Sequence, residues 1–196
     1  MAEHKGLPIQ TFADRAAWEK WLAANAANSS GVWLKFAKKA AGKPTIAKPD
    51  AIEAALCFGW IDGQLDGFDD AYWLTRFTPR GPKSRWSQIN RETALRLVAA
   101  GKMKAAGQVE IDRAKADGRW DAAYAPQSKA EVPADLQAAL DANPKAKAFF
   151  ATLNGANRYA ILYRIHHAKT EKTRSARIEK FVAMLARGET IHPQKA

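Results

Sequence analysis

The chain has 196 residues, a length that suits one domain, or one larger unit with a small helical appendage. Hydrophobic residues make up 47% of it and charged residues 26%, and this composition excludes wholesale disorder. Cys57 is the single cysteine, so an internal disulfide and a cysteine-rich zinc site are excluded. The formal net charge of +11 attracts polyanions and phosphate-bearing molecules, although it also serves solubility.

The first residues, MAEHKGLPIQTFADRAAW, lack the apolar core of a secretory signal. No apolar run in the sequence approaches the roughly 18–20 residues that span a bilayer. We therefore expect a cytoplasmic protein without a membrane span.

The first elements in chain order predict an α+β fold. Apolar residues at helical spacing indicate a helix over TFADRAAWEKWLAANAAN, and alternation in GVWLKFAKK indicates a half-buried strand. PDAIEAALCFG is typical of a short helix. Trp60–Leu65 and Tyr72–Phe77 flank DGFDD, which predicts a β-hairpin. The expected sheet has about three antiparallel strands packed with helices.

The following segments predict helices. The first two are QINRETALRLVAAG and AAGQVEIDRAKADG. Four further helical patterns of differing length fill the C-terminal part. The irregular stretch near 125–132 is the expected boundary. The predicted division is an α+β domain over 1–128 and a helical region over 131–190, which either docks onto the first domain or stands apart.

The candidate site is the basic loop and helix start FTPRGPKSRWSQIN. Residues 76–104 carry eight Lys or Arg against one acid, Glu92. Free N–H groups at a helix start, with cations and an indole nearby, suit an anion attached to a flat group. The predicted ligand-binding residues are Asp62, Arg80, Lys83, Ser84, Trp86, Ser87 and Asn90. Alternatively, the serines cap the helix, the tryptophan is a core residue and the cations form a solvated face.

Two further groups of charged residues have alternative interpretations. Asp62 lies on a strand beside Trp60, where it forms an ion pair with Arg80 or Lys83, or acts as a general base. Lys38 and Lys39 at a strand end either extend the basic surface or protect an edge strand from pairing.

Several stretches together resemble one bacterial family. They are ALCFGWIDGQ at 55–64, FTPRGPKSRWSQIN at 77–90, GKMKAAG at 101–107, GRW at 118–120 and the tail pattern VP…AL…AFF…AKTEKTRSARI. The combination is similar to the YdeI/OmpD-associated family, which is named for bacteriocin protection. The resemblance implies a link to resistance against bacteriocins or antimicrobial peptides, and it implies no particular reaction.

Three classes of function remain open. The first is a binding protein that holds a small anionic ligand at residues 79–90. The second is a nucleic-acid-binding protein that uses the basic surface. The third is an enzyme with Asp62 as general base. No cofactor is expected because phosphate-binding glycine motifs are missing, and no metal is expected because His166 and His167 are adjacent and point apart on a helix. Oligomeric state is not predicted.

Overall fold

The computed structural model describes residues 2–39, 41–42 and 44–194. The chain divides into two compact units, Met1–Ala123 and Tyr124–Ala196. Among the described residues, the first unit holds five strands and four α-helices, and the second holds four α-helices and a short 3₁₀ helix at Gln127–Lys129. The predicted α+β class and the helical C-terminal part are therefore confirmed.

The first unit is built on one twisted sheet. Its strands are β1 (Glu3–His4), β2 (Leu7–Gln10), β3 (Val32–Ala37), β4 (Trp60–Gly67) and β5 (Tyr72–Pro79). Their order across the sheet is β1-β2-β3-β5-β4. The β2–β3 pair is parallel and the other pairs are antiparallel. The predicted hairpin is β4–β5, and β3 is its neighbour as a third strand.

The predicted number of strands is wrong, because the sheet has five strands in the part of the chain that the structure describes. The two missed strands form an N-terminal hairpin whose turn residues, Lys5 and Gly6, have φ of 48° and 76°. β1 is only two residues long and β2 contains Pro8, so neither shows the alternation that reveals a strand. Lys5 donates to Asp66 of β4 at 2.6 Å. That bond, together with His4, lowers the pKa of Asp66 to about 2.

Helices α1 (Arg15–Asn25) and α2 (Lys48–Cys57) supply residues to the core of the first unit. Asp14 caps α1 by accepting from the Ala17 backbone N–H at 2.9 Å. Trp18 of α1 is fully buried, and its Nε1 donates to the Ala51 carbonyl of α2 at 3.1 Å. The two helices are thus joined by apolar packing and by the hydrogen bond of the Trp18 indole.

A second apolar cluster of this unit involves α3 (Gln88–Ala99) and α4 (Ala105–Ala116). Gly107 of α4 lies against the end of α2. A Cβ at this position would stand 2.5 Å from the Cys57 carbonyl oxygen and 2.6 Å from that of Leu56. Backbone oxygens cannot move aside for it, so this close approach of α4 to α2 requires glycine.

The second unit consists of α5 (Ala134–Asp141), α6 (Pro144–Ala151), α7 (Gly155–His166) and α8 (Glu171–Ala186). Its core includes Ile178, Phe181 and Leu185 on one face of α8, as the apolar spacing predicts. Arg174 of α8 donates from Nη2 to Asp135 Oδ1 of α5 at 2.8 Å and lowers the pKa of that carboxyl. Packing and this ion pair therefore both join α5 to α8.

Candidate functional site

The loop predicted to bind an anion closes on itself. It runs from the end of β5 to the start of α3. The Gly81 N–H donates to Ser84 Oγ at 2.9 Å, and the Ser84 N–H donates to the Gly81 carbonyl at 2.9 Å. Arg119 Nη1 donates to the Ser84 carbonyl at 2.6 Å. The backbone N–H and carbonyl groups of Gly81 and Ser84 and the Ser84 hydroxyl are thus used in bonds within the protein.

Trp86 is part of the core. Only 2% of its surface is exposed, and its ring lies between two neighbours of the same unit. The guanidinium carbon of Arg80 is 3.7 Å from the indole centroid, and the ring of Trp120 meets it edge-on at 4.8 Å. Arg80 is itself 5% exposed and donates from Nη1 to the Arg85 carbonyl at 3.3 Å. The indole therefore contributes packing and presents no open face to a ligand.

The serine and asparagine at the start of α3 form a helix cap. Ser87 Oγ accepts from the Asn90 backbone N–H at 3.1 Å, which satisfies one of the first N–H groups of the helix. The side chain of Asn90 is half-buried, and Lys83 is exposed on the loop. The structure thus brings Arg80, Ser84, Trp86 and Ser87 together in one packed loop, with Lys83 on its outer side.

Asp62 has an ion-pair partner outside the loop. It is half-buried on β4, and its Oδ2 lies 3.5 Å from Nζ of Lys48, at the first turn of α2. Sequence reasoning expected an ion pair with Arg80 or Lys83. The observed partner, Lys48, belongs to a helix that precedes Asp62 in the chain. Lys48 also borders a cavity.

We call this cavity, of about 360 Å³, the basic cavity. It lies where the end of β3, the segment 44–47, the start of α2 and the start of β5 meet. Its described lining residues are Phe36, Ala37, Lys38, Lys39, Gly42, Pro44, Thr45, Ile46, Ala47, Lys48 and Trp73. Three of these are lysines, and none of those that the structure describes is Asp or Glu.

The aromatic wall of the basic cavity follows from strand register. Phe36 of β3 and Trp73 of β5 are directly paired across the two strands. Their rings are stacked at 4.8 Å with an angle of 24° between planes. Phe36 is buried and Trp73 is half-buried. Trp73 therefore keeps part of its indole at the cavity surface.

The cations of the basic cavity are held in different ways. Lys48 Nζ lies 5.6 Å from the Trp73 ring centroid, within reach of a cation–π attraction, and it also faces Asp62. Lys38 donates to the Asp69 carbonyl at 2.8 Å. Lys39 is exposed. Ala47, the N-cap of α2, has no side-chain hydrogen bond to the helix start. Lys48 and Ala47, at the start of α2, thus both line the cavity.

A second cavity, of about 350 Å³, lies beside the start of α4. Its cations Arg15, Lys102 and Lys104 are accompanied by Glu19, whose Oε1 accepts from Arg15 at 2.7 Å. Cys57 also borders it, but burial raises the pKa of this thiol, so the reactive thiolate is disfavoured. The charge in this cavity is partly neutralised by the protein itself.

Residues 10–110, slightly more than half of the chain, match the model of a domain of unknown function (DUF8412). Residues 129–188 match the model described as bacteriocin-protection, YdeI or OmpD-associated. The chain belongs to the DUF8412 family, and its segment 129–188 is similar to the YdeI/OmpD-associated family. No curated protein and no solved structure matches it.

The two family matches fall on different units of the chain. The bacteriocin-protection match covers helices α5–α8 of the second unit, whereas the predicted loop and the basic cavity both lie within the match of unknown function. In the part of the chain that the structure describes, no three His, Cys, Asp or Glu side chains are grouped so that they could hold a metal ion. None of the described helices is long and apolar enough to cross a membrane.

Sequence reasoning missed Lys48 and Trp73 as candidate binding residues. It did single out Lys38 and Lys39 as a basic strand end. The missing signal is tertiary, because Trp73 reaches Phe36 through strand pairing and Lys48 arrives with α2. A strand that ends in lysines, followed by a polar loop and a helix beginning with lysine and proline, is the local pattern that could have indicated this cavity.

Proposed function

We propose that this protein binds a small anionic molecule in the basic cavity, and that this binding serves the bacteriocin protection for which the YdeI/OmpD-associated family is named. The observation that carries the proposal is the set of three lysines around a cavity whose described lining contains no carboxylate. The volume of about 360 Å³ lies in the lower part of the range of about 300–1,000 Å³ that ligand pockets occupy.

Electrostatics supports an anion over a neutral ligand. Like charges near one another raise the free energy of the charged state, and an anion between them relieves that repulsion. Asp62 offsets the charge of Lys48 from one side, at 3.5 Å. Lys38 and Lys39 have exposed side chains, while Asp50 in the first turn of α2 offsets the positive end of that helix's dipole. The surplus of positive charge favours a ligand with at least one negative charge.

The basic cavity is preferred to the predicted loop because of where each set of polar groups points. In the loop, the Gly81 and Asn90 N–H groups donate to Ser84 and Ser87. At the cavity, the N-cap residue Ala47 has no side chain that can accept from the first turn. Nucleic-acid binding and catalysis by Asp62 stay predictions from the sequence, and no feature of the described geometry favours either of them.

The first test replaces one cavity lysine and one loop lysine in the same way. Acetate and inorganic phosphate are titrated into wild type, Lys48→Met and Lys83→Met, with binding followed by calorimetry and by thermal unfolding. We expect Lys48→Met to lose the response and Lys83→Met to keep it. A ligand at 100 times its Kd adds about 2.7 kcal/mol to the free energy of unfolding, so the effect is measurable.

The control for this test is the unliganded stability of the two variants. Methionine keeps the length and the apolar stem of lysine, so Lys83→Met should unfold within about 0.5 kcal/mol of wild type. Lys48→Met also loses the ion pair with Asp62, so its free energy of unfolding should fall by no more than about 1 kcal/mol. Loss of anion binding in Lys83→Met alone would move the site to the loop. Equal binding by all three proteins would overturn the proposed cavity.

The link to bacteriocin protection needs a test in cells. A bacterial strain that lacks the gene is complemented with wild type, Lys48→Met or Lys83→Met, at matched protein levels, and survival is measured against a bacteriocin dose series. We expect wild type and Lys83→Met to restore survival and Lys48→Met to fail. Restoration by all three would separate protection from the basic cavity.

A further inference from the structure

The aromatic wall of the basic cavity narrows the class of ligand. Trp73 is rigidly placed, because one side of its ring is stacked on the buried Phe36 at 4.8 Å. Its remaining surface borders the cavity together with Pro44 and Ile46. An indole held in this way offers a flat apolar surface at little cost in side-chain entropy, and aromatic rings bind such surfaces by offset stacking or edge-on contact.

The cation lies close to this surface. Lys48 Nζ is 5.6 Å from the centroid of the Trp73 ring. A ligand ring that packs on an indole has its centroid about 4.5–7 Å away. A carboxylate bonded to an ammonium has its oxygen about 2.7–2.9 Å from the nitrogen. A ligand ring on Trp73 and the Lys48 ammonium would thus be close neighbours, which favours a carboxylate attached to the ring directly or through one carbon.

The size of the cavity allows such a ligand. A volume of about 360 Å³ accommodates one ring with its charged group. We infer that the basic cavity binds a single-ring aromatic carboxylate, with the ring against Trp73 and the carboxylate between Lys48 and the neighbouring lysines. This inference rests on the proposed function and specifies its ligand.

The test compares the affinity of this protein for three probe molecules. Benzoate has the ring and the charge, acetate has the charge alone, and benzamide has the ring without the charge. We expect benzoate to bind about tenfold more tightly than acetate, since stacking on an indole adds to the ionic contact. Benzamide should bind at least tenfold more weakly than benzoate, because it leaves the lysines without a counter-charge.

Variants of the aromatic wall assign the ring preference to Trp73. Trp73→Leu should reduce the benzoate preference over acetate to about twofold, and Trp73→Phe should retain most of it. Trp21→Leu is the matched control, since Trp21 is also half-buried and stacks on a buried ring, that of Trp18, at 5.2 Å, but does not line the cavity. Trp21→Leu should keep the wild-type preference even if it lowers stability.

The outcomes distinguish the inference of an aromatic ligand from the anion-binding function on which it rests. Equal affinity for acetate and benzoate, with both lost in Lys48→Met, overturns the aromatic inference and leaves the anion-binding function in place. A benzoate preference that survives Trp73→Leu overturns the assignment to Trp73. Absence of binding by both anions, or equal binding of benzamide and benzoate, overturns the inference and the proposed function together.

Discussion

The loop 79–90 and the basic cavity have similar residue types but use them differently. Each combines lysine or arginine, a tryptophan and the start of a helix. In the loop, Trp86 is 2% exposed and the Arg80 guanidinium is stacked on its ring, so the ring face is covered inside the protein. At the cavity, Trp73 is half-buried beside lysines and an open volume.

The difference shows that composition alone does not distinguish an open cavity from a packed loop. What decides is whether the aromatic ring is covered by the protein or borders an open volume. Ser87 caps α3 with its own oxygen, whereas Ala47 leaves α2 without a side-chain cap. Substitutions of the packed loop residues should therefore lower stability, and substitutions at the cavity should alter binding.

The largest expected effect is that of Trp86→Ala. Removing a fully packed indole leaves a void beside Trp120 and uncovers the guanidinium of Arg80, so we expect the free energy of unfolding to fall by about 3–5 kcal/mol. Urea denaturation measures this change. Trp86→Phe, which keeps an aromatic face for Arg80, should lose less. A Trp86→Ala protein with wild-type stability and weakened anion binding would reverse the comparison and restore the loop as a receptor.

Ser87→Ala should have a smaller effect of the same kind. The Asn90 N–H loses its acceptor, and the loss of an N-cap costs about 1 kcal/mol. Ser87→Asp is the control, because aspartate also caps helices and should retain the stability. Both variants should bind acetate as wild type does. A drop in acetate affinity in Ser87→Ala would indicate that the start of α3 contacts the ligand.

Asp62→Asn should give the smallest change, and its sign is informative. The carboxylate faces Lys48 at 3.5 Å and competes with a bound anion for that ammonium. A partly exposed ion pair contributes about 0.2–1 kcal/mol, so its removal should raise acetate affinity by up to about fivefold. Asp66→Asn is the matched control on the same strand, since Asp66 contacts His4 and Lys5 instead. Weaker acetate binding in Asp62→Asn would place Asp62 among the groups that hold the ligand.

Much of the local structure of this protein could be predicted from its sequence. Alternation identified β3, and apolar spacing identified the buried face of α8. These features depend on neighbours within a few residues. The N-terminal hairpin was missed because β1 is two residues long and Pro8 interrupts β2, so the strands depend on β3 for their form.

The sequence by itself determined the α+β class, the positions of the helices and the excess of positive charge. Only the tertiary structure decided which basic, aromatic segment is packed and which remains open. Burial of Trp86 depends on Trp120, and the aromatic wall depends on the register that pairs Phe36 with Trp73. Such contacts join residues far apart in the chain, and local pattern contains no information about which side chain will satisfy which charge.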